Sequence, residues 1–392
     1  MRMPVTLILL GLLCACTATH RQENAAKLVV FGDSLSDQGN MITLLRDMTQ
    51  LHHLHMTHPP ASHDGKSFSN GTLAVEFLAD AMNTGLQPAW RASTRRSREA
   101  RKGVSIPLLM PMLGQPSQEH LHDRVLAQEV RLARDIVAEK NAPDMAAGWN
   151  FAVAGAAVAG DYEGLRFELL NEVALDKQVS AYLRRSESTQ VRDAVFVIFI
   201  GGNDLLNVFS DRRLHSAERR QRKVATLSDT LITSIDRLRS AGARHILIVG
   251  PPDISEAPVI HGASIREEAQ ALSRQFEREL GQQLTTRYSP DELAWMPIQA
   301  TFSELLQAWP ETIRHQACTN SIATGHFRLE PLLAHEELAI QFTDGCTQSW
   351  LDTQRIPFFD GIHPVEKIHG EIGARMIEKI RPWLQQRKGE RS

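Results

Sequence analysis

The stretch Lys27-Leu-Val-Val-Phe-Gly-Asp-Ser-Leu-Ser-Asp-Gln-Gly-Asn40 decides the fold of this chain. Its segment from Leu28 to Phe31 is uncharged and rich in branched and aromatic residues, which is typical of a short strand buried on both faces of a parallel sheet. Gly32 permits a sharp turn after this strand, and the polar residues that follow are of the types that cap a helix. Ser34 is therefore expected at the carboxyl edge of the sheet, where open α/β folds bind ligands.

A second polar turn lies near the other end of the chain, in Phe358-Phe-Asp-Gly-Ile-His-Pro364. Asp360 and His363 are three positions apart, so the carboxylate can accept a hydrogen bond from one imidazole nitrogen while the other nitrogen faces outward. A serine hydroxyl becomes a useful nucleophile when such a base takes its proton. We therefore interpret Ser34 as the nucleophile, His363 as general base and acid, and Asp360 as the group that orients the base.

Each of these turns, taken alone, has an ordinary structural interpretation as well. The turn at Ser34 could be a strand-to-helix turn with capping hydroxyls, and the turn at His363 could be a surface turn that ends before Pro364. Two further blocks favour the catalytic interpretation: Asn150-Phe-Ala-Val-Ala-Gly-Ala156 and Gly201-Gly-Asn-Asp204.

The second of these blocks follows a strongly apolar strand, Val195-Phe-Val-Ile-Phe-Ile200. At the carboxyl edge of a sheet, the side-chain NH2 of Asn203 is an uncharged donor suited to a developing oxyanion. Asp204 is interpreted as a helix cap or as a brace for the turn. Gly155, in the other block, would let a backbone N–H approach a substrate closely, although a tight strand-to-helix crossing would also need a glycine.

Together the four blocks, in this order and spanning residues 28 to about 378, resemble the GDSL (SGNH) family of lipolytic hydrolases. The resemblance is strongest to the branch of bacterial phospholipases and glycerophospholipid:cholesterol acyltransferases. It implies a three-layer α/β/α fold with a mostly parallel central sheet, similar to flavodoxin. It also implies a catalytic triad and an oxyanion hole to which Gly155 and Asn203 donate. Ala154 stands where the family often has a second glycine.

The function expected from this resemblance is an exported serine ester hydrolase that acts on lipids through an acyl-enzyme. Two alternatives stay open: transfer of a fatty acyl group to a sterol or another alcohol, and, further off, removal of acetyl groups from carbohydrates. A binding module with a decayed site would lack at least one of five site residues. All five are present: Ser34, Gly155, Asn203, Asp360 and His363. No cofactor and no metal are predicted, and the expected partners are an ester or lipid substrate and a membrane surface.

Composition limits the remaining classes of function. The chain has 392 residues, 42% of them hydrophobic, which is enough for a large core, and a net charge of -3 that argues against nucleic-acid binding. No obligate protein partner is inferred.

We predict a single hydrolase domain at 24–386, with an insertion at about 87–142 and a disulfide-bearing loop region at about 303–352.

The first residues of the chain are predicted to direct export. Arg2 is followed by an apolar run from Val5 to Leu13 and then by small residues, which indicates a signal peptide over 1–18. Leu13-Cys-Ala-Cys16 also resembles a bacterial lipoprotein cleavage box, so an outer-membrane lipoprotein anchored through Cys16 is the alternative to a secreted or periplasmic protein.

Two cysteines then remain, Cys318 and Cys346, and in an exported protein they are best interpreted as one disulfide. A metal site there is disfavoured, because His315 and His326 are scattered and lack further ligands at close spacing. A solvated loop is preferred over a metal site for the histidine-rich stretch His52, His53, His55, His58 and His63.

Periodicity predicts the other elements of the chain. An arginine-rich loop is expected from Trp90 to Lys102, with a basic lipid-facing patch as its alternative. Strands are predicted at 193–200, 245–252 and 293–298, and a strand that runs into a Gly/Ala turn at 150–159. Helices are predicted at 40–51, 73–82, 121–139, 224–240, 264–284 and 364–384.

Overall fold

A six-stranded parallel sheet forms the centre of the molecule. The structure is a computed structural model that describes residues 27–43, 66–89, 148–163, 170–320 and 341–389. The six strands are β1 (Lys27–Gly32), β2 (Leu86–Pro88), β3 (Gly148–Asn150), β4 (Ala194–Phe199), β5 (His245–Val249) and β6 (Leu293–Met296).

The strand order β2-β3-β1-β4-β5-β6 makes β1 a central strand. β3 lies on one side of β1 and β4 on the other, and Val30 is in register with Asn150 and Val197. Along the chain, β2 and β3 follow β1 and lie on one side of it. The next three strands, β4 to β6, lie on the other side. The carboxyl end of β1 is therefore the switch point at which open α/β sheets form their crevice.

Helices cover both faces of this sheet. They are α1 (Ala74–Ala81), α2 (Leu175–Arg185), α3 (Ser188–Asp193), α4 (Gly202–Asn207), α5 (Ala217–Ser240), α6 (Pro258–His261), α7 (Arg266–Arg287), α8 (Gln299–Leu306), α9 (Gln348–Asp352) and α10 (Glu366–Gly389). A single 3-10 turn, Ile254–Glu256, precedes α6. None of the helices in the described ranges is both long enough and apolar enough to cross a membrane.

Alternate residues of β1 point into two separate cores, as the geometry of a strand requires. Val29 and Phe31 pack with buried residues of α2, α5 and α7 on one face. Leu28 and Val30 pack with buried residues of α1, α8 and α10 on the other face. The predicted three-layer α/β/α architecture with a parallel central sheet is thus confirmed.

Most predicted elements in the described ranges are present; several helices, among them α2, were not predicted, and three other regions differ. The strand predicted at 150–159 is Gly148–Asn150, so it begins earlier and is shorter. Beyond it, the N–H groups of Ala154, Val158 and Ala159 donate to buried carboxylates instead of a neighbouring strand. Strand β2 was missed, because three residues that include Pro88 give little signal and proline is tolerated only at a sheet edge.

The third difference lies in the region predicted as irregular, 303–352. It contains a short antiparallel pair formed by β7 (Thr319–Asn320) and β8 (Gln341–Phe342), the end of α8, and α9. Several predictions lie outside the described residues: the signal peptide with Cys16, the histidine-rich stretch, the arginine-rich loop and the helix at 121–139.

Candidate active site

The turn that carries Ser34 is held at its base by the side chain of a distant glutamine. The buried Gln178, on α2, accepts from the N–H of Gly32 at 2.9 Å and donates to the carbonyl of the same residue at 2.8 Å. A Cβ at Gly32 would lie 2.5 Å from the carbonyl oxygen of Phe199, so only glycine fits here. The chain therefore leaves β1 in one fixed direction and places Ser34 at the switch point.

A buried carboxylate, that of Asp37, joins this turn to the loop after β3. It accepts from the N–H groups of Gly39 at 2.8 Å, Asn40 at 2.6 Å and Met41 at 3.0 Å, which are the first donors of the following helix. It also accepts from the N–H of Ala154 at 2.8 Å. Burial raises the pKa of Asp37 to about 6, and these backbone donors act in the opposite direction.

The turn that carries His363 is stabilised by its own aspartate. The Oδ1 atom of Asp360 accepts from the backbone N–H groups of Ile362 and His363, each at 2.8 Å. Its carboxylate also faces the imidazole, with 2.8 Å between Nδ1 of His363 and Oδ2 of Asp360. A carboxylate only accepts, so Nδ1 carries the proton and Nε2 is left as an acceptor.

The two turns meet although they are 329 residues apart in the chain. The distance between Nε2 of His363 and Oγ of Ser34 is 2.6 Å, so the serine hydroxyl donates to the imidazole. All three side chains are buried, with exposed fractions of 8% for Ser34, 2% for His363 and 0% for Asp360. The hydroxyl, the imidazole and the carboxylate thus form one hydrogen-bonded chain in a site that excludes most solvent.

Neighbouring segments anchor the turn of His363 from several directions. The disulfide joins Cys318 and Cys346, as predicted, and the N–H of Cys318 donates to the carbonyl of Phe358 at 3.1 Å. From α6, the N–H of Val259 donates to the carbonyl of Gly361 at 3.1 Å. The disulfide segment and α6 therefore set the position of the imidazole.

The predicted oxyanion donors occupy different places around Ser34. Asn203 lines the same cleft as Ser34 and His363, and its NH2 group donates to the carbonyl of Ala156 at 2.8 Å. That bond uses one of the two N–H bonds of the amide. Gly155 adopts a left-handed φ of 81° beside Ala156 and is not among the cleft-lining residues. Its role as a donor stays a prediction.

Asp204 proves to be a brace. Its buried carboxylate accepts from the N–H groups of Val158 at 2.7 Å and Ala159 at 3.1 Å, and from the hydroxyl of Tyr162 at 2.8 Å. Burial raises the pKa of Asp204 to about 6. Together with Asp37, it holds the 151–162 loop, which includes Gly155, against the turn of Ser34 and against α4.

A cleft of about 490 Å³, including its open mouth, lies in front of Ser34. Beyond the turn of Ser34, its apolar lining comes from parts of the chain that sequence patterns did not connect, and it includes Leu206, Ile254, Phe302, Phe358 and Ile362. Beside the cleft, the ring of Phe68 lies 5.2 Å from that of His363, centre to centre.

Asp33 adds a carboxyl group to the wall of this cleft, directly before the serine. Its Oδ1 accepts from the N–H of Leu35 at 3.0 Å. Burial raises the pKa of Asp33 to about 7, while that hydrogen bond and the nearby His363 act in the opposite direction. From the sequence, Asp33 was expected only as one of the polar residues that cap the helix after β1.

A serine hydroxyl that donates to a carboxylate-bound imidazole, at the carboxyl edge of a parallel sheet, defines the class of serine hydrolases. The comparison with known families is more specific. A family model described as GDSL-like Lipase/Acylhydrolase matches residues 28–376, and the chain belongs to this family. It is the family that the four sequence blocks indicated.

Three curated proteins of Arabidopsis thaliana are similar to this chain. One, named a GDSL esterase/lipase, is 23% identical over 97% of this chain and 96% of its own length. A second protein with that name is 24% identical over 62% of this chain and 56% of its own length. A third, named an inactive GDSL esterase/lipase-like protein, is 24% identical over 91% of this chain and 80% of its own length. The family and its esterase/lipase members support an ester hydrolase.

Proposed function

We propose that this protein is an exported serine ester hydrolase that cleaves fatty acyl esters through an acyl-enzyme on Ser34. The observation that carries the proposal is the continuous contact from Oγ of Ser34 to Nε2 of His363, at 2.6 Å, and from Nδ1 of His363 to Asp360, at 2.8 Å. One relative is named inactive, so family membership alone does not establish catalysis. Here all three side chains are present and in contact.

The proposed reaction has two halves. Oγ of Ser34 attacks the ester carbonyl while Nε2 of His363 takes its proton, and the imidazolium is stabilised by Asp360. The tetrahedral intermediate collapses when His363 gives the proton to the leaving alcohol, which leaves an acyl group on Ser34. Water then loses a proton to His363 and attacks the acyl carbonyl, and the fatty acid is released as the proton returns to Oγ.

The negative charge of each tetrahedral intermediate needs hydrogen-bond donors. We assign this role to the second N–H of Asn203 and to the backbone N–H groups of Ser34 and Gly155. Removing one such donor typically costs about 3 kcal/mol of transition-state stabilisation. The brace that Asp37 and Asp204 provide would keep the loop of Gly155 in place while charge develops.

The cleft favours an apolar acyl group over a charged headgroup. Its aliphatic and aromatic lining suits a fatty acyl chain, which disfavours a carbohydrate deacetylase. Among the described lining residues, Asp33 and Asp253 are acidic and none is lysine or arginine. A phosphate group would gain no ion pair from them, so activity as a phospholipase A or lysophospholipase requires the headgroup to lie outside this part of the cleft.

Acyl transfer is the second candidate function, as in the bacterial acyltransferase branch that the sequence blocks resemble. The burial of Ser34, only 8% exposed, favours it. An acyl-enzyme that is protected from water survives longer, so a sterol or another alcohol has time to take the acyl group.

Export is supported by the disulfide between Cys318 and Cys346, because such bonds persist in oxidising compartments. We propose a signal peptide at 1–18, with lipidation of Cys16 as the alternative. The family match over residues 28–376 supports one hydrolase domain over about 24–386.

Lipid mass spectrometry tests the proposal. The purified protein is incubated with mixed phospholipid vesicles, with and without cholesterol, and with p-nitrophenyl esters of different chain length. We expect free fatty acid as the main product, whereas sterol ester as the main product would identify an acyltransferase.

The matched variants are Ser34→Ala and Ser36→Ala. The first should lower turnover at least 10,000-fold. The second should retain it, because the buried Oγ of Ser36 has no hydrogen-bond partner among the described residues. Turnover by Ser34→Ala equal to that of the natural protein would end the assignment.

A further inference from the structure

A cluster of three potential metal ligands lies outside the catalytic chain. Glu256 ends the 3-10 turn, His261 ends α6, and His315 lies three residues before the disulfide cysteine Cys318. One ligand atom from each side chain can be chosen so that all lie within 4.8 Å of one another, and all three residues are partly buried. None of them lines the cleft, so the cluster is a separate feature of the fold.

One nitrogen of His315 is anchored on the backbone, and the other faces the carboxylate of Glu256. Its Nδ1 lies 3.0 Å from the carbonyl oxygen of Glu256, which can only accept, so Nδ1 donates this hydrogen bond. Its Nε2 lies 3.6 Å from Oε2 of Glu256, a separation that one metal ion can bridge.

His261 supplies a second imidazole. Its Nδ1 is buried and has no hydrogen-bond partner among the described residues. Anchoring one nitrogen of a histidine on a backbone carbonyl, as in His315, is the usual outer-shell arrangement of metal-binding histidines.

We propose that Glu256, His261 and His315 bind one divalent transition-metal ion, with Zn²⁺ as the best match. Two imidazole nitrogens and one carboxylate oxygen are a donor set that Zn²⁺ accepts, and water would complete a tetrahedral site. The two rings now stack with their centres 3.5 Å apart and their planes at 9°, so their lone pairs do not converge. Binding therefore requires one ring to turn. His261 can turn about its soft terminal torsion without losing a hydrogen bond at Nδ1.

The ion would join three segments that form the wall of the active site. α6 donates from Val259 to Gly361 in the turn of His363, and Ala257, at the start of α6, lines the cleft. Ser303 of α8 donates to Oε1 of Glu256 at 3.2 Å. We therefore assign the ion a structural role beside the base, with no part in bond cleavage. A metal at His315 was disfavoured from the sequence, because no further ligands lie at close spacing in the chain.

The test is Zn²⁺ binding by the full chain after treatment with a chelator. We expect the natural protein to bind one more Zn²⁺ per chain than His315→Gln or Glu256→Gln, measured by calorimetry. Zn²⁺ at 100 times its dissociation constant should raise the melting temperature of the natural protein by about 3 °C more than that of either variant. His215→Gln, which changes an exposed histidine outside the cluster, should behave like the natural protein.

Imidazole is a common Zn²⁺ ligand wherever it is exposed, so only the difference between these proteins is informative. The same stoichiometry and the same rise in melting temperature in all four proteins would overturn the proposal. Two variants are used so that one that fails to fold, as judged by circular dichroism, can be set aside. X-ray absorption of the Zn²⁺ complex gives a second readout, and a first shell without imidazole scattering would also overturn the proposal.

Discussion

The turn of Ser34 and the turn of His363 are held by different means. A glutamine of α2 and a carboxylate of the turn itself hold the first: Gln178 hydrogen-bonds Gly32, and Asp37 joins the turn to Ala154. The second turn has its own Asp360 and, around it, backbone bonds from Cys318 and Val259. The nucleophile is thus part of the core, whereas the base depends on segments joined by a disulfide and, as proposed, a metal ion. Damage to the first turn should unfold the protein, and damage to the second should stop catalysis first.

The largest effect is expected from Asp360→Asn, which acts on the second turn without removing its backbone bonds. An asparagine Oδ1 still accepts from Ile362 and His363, so the turn is retained, but the imidazole loses its anionic partner. We expect kcat/KM on p-nitrophenyl esters to fall about 10,000-fold with little change in melting temperature. Asp352→Asn, at an exposed aspartate, is the control. A loss of less than tenfold would contradict the role given to Asp360.

Asp37→Ala acts on the first turn. Four backbone N–H groups lose their acceptor, and at about 1 kcal/mol each the free energy of unfolding should fall by about 4 kcal/mol. Urea denaturation measures this change, with the exposed Asp80→Ala as control. A loss below 1 kcal/mol would show that the turn does not depend on this carboxylate.

Loss of the disulfide is the corresponding test of the second turn. Its loop has a sequence separation of 28, for which the chain-entropy model gives about 3 to 4 kcal/mol of stabilisation. A Cys318→Ser, Cys346→Ser double variant should melt at a lower temperature than the natural protein. On heating, this variant should lose its esterase activity at a lower temperature than its ellipticity. Reductant should lower the melting temperature of the natural protein and leave the double variant unchanged. An intact mass of the natural protein that corresponds to two free thiols would refute the disulfide.

The smallest effect concerns His369, on α10. It is fully buried, neither ring nitrogen has a partner among the described residues, and burial lowers its pKa to about 3. The unfolded chain binds a proton below about pH 6.5. The folded protein does not bind this proton until the pH is near 3. The free energy of unfolding therefore decreases as the pH falls from about 6.5 to about 3, and at pH 5 the decrease is about 2 kcal/mol.

His369→Leu should remove this loss. The difference in melting temperature between pH 7 and pH 5 should be smaller in the variant than in the natural protein. His215→Leu, which changes an exposed histidine, should keep the natural difference. If the difference in melting temperature between pH 7 and pH 5 is the same in His369→Leu as in the natural protein, the imidazole of His369 is protonated in the folded state at pH 5.

The contact between the two turns could be predicted because a serine nucleophile needs an oriented base, and because the four sequence blocks resemble a family in which Ser34, His363 and Asp360 act together. Capping residues were expected after β1, but the bond from Asp37 to Ala154 was not, since residues 150–159 were expected to form a strand that runs into a Gly/Ala turn. Gln178 gave no signal, because no helix was predicted around it. The cleft wall and the cluster around His315 also escaped prediction, since their members come from segments that only the folded chain brings together.

The central claim is that the hydroxyl of Ser34 is activated by His363, and covalent trapping tests it most directly. The natural protein and a His363→Ala variant are treated with an alkyl fluorophosphonate and digested, and the peptides are analysed by mass spectrometry. The account predicts one phosphonyl group per chain, attached to Ser34, and a labelling rate that is lost in the variant. Inhibition of ester hydrolysis with the label on another residue, or equal labelling of both proteins, would contradict it.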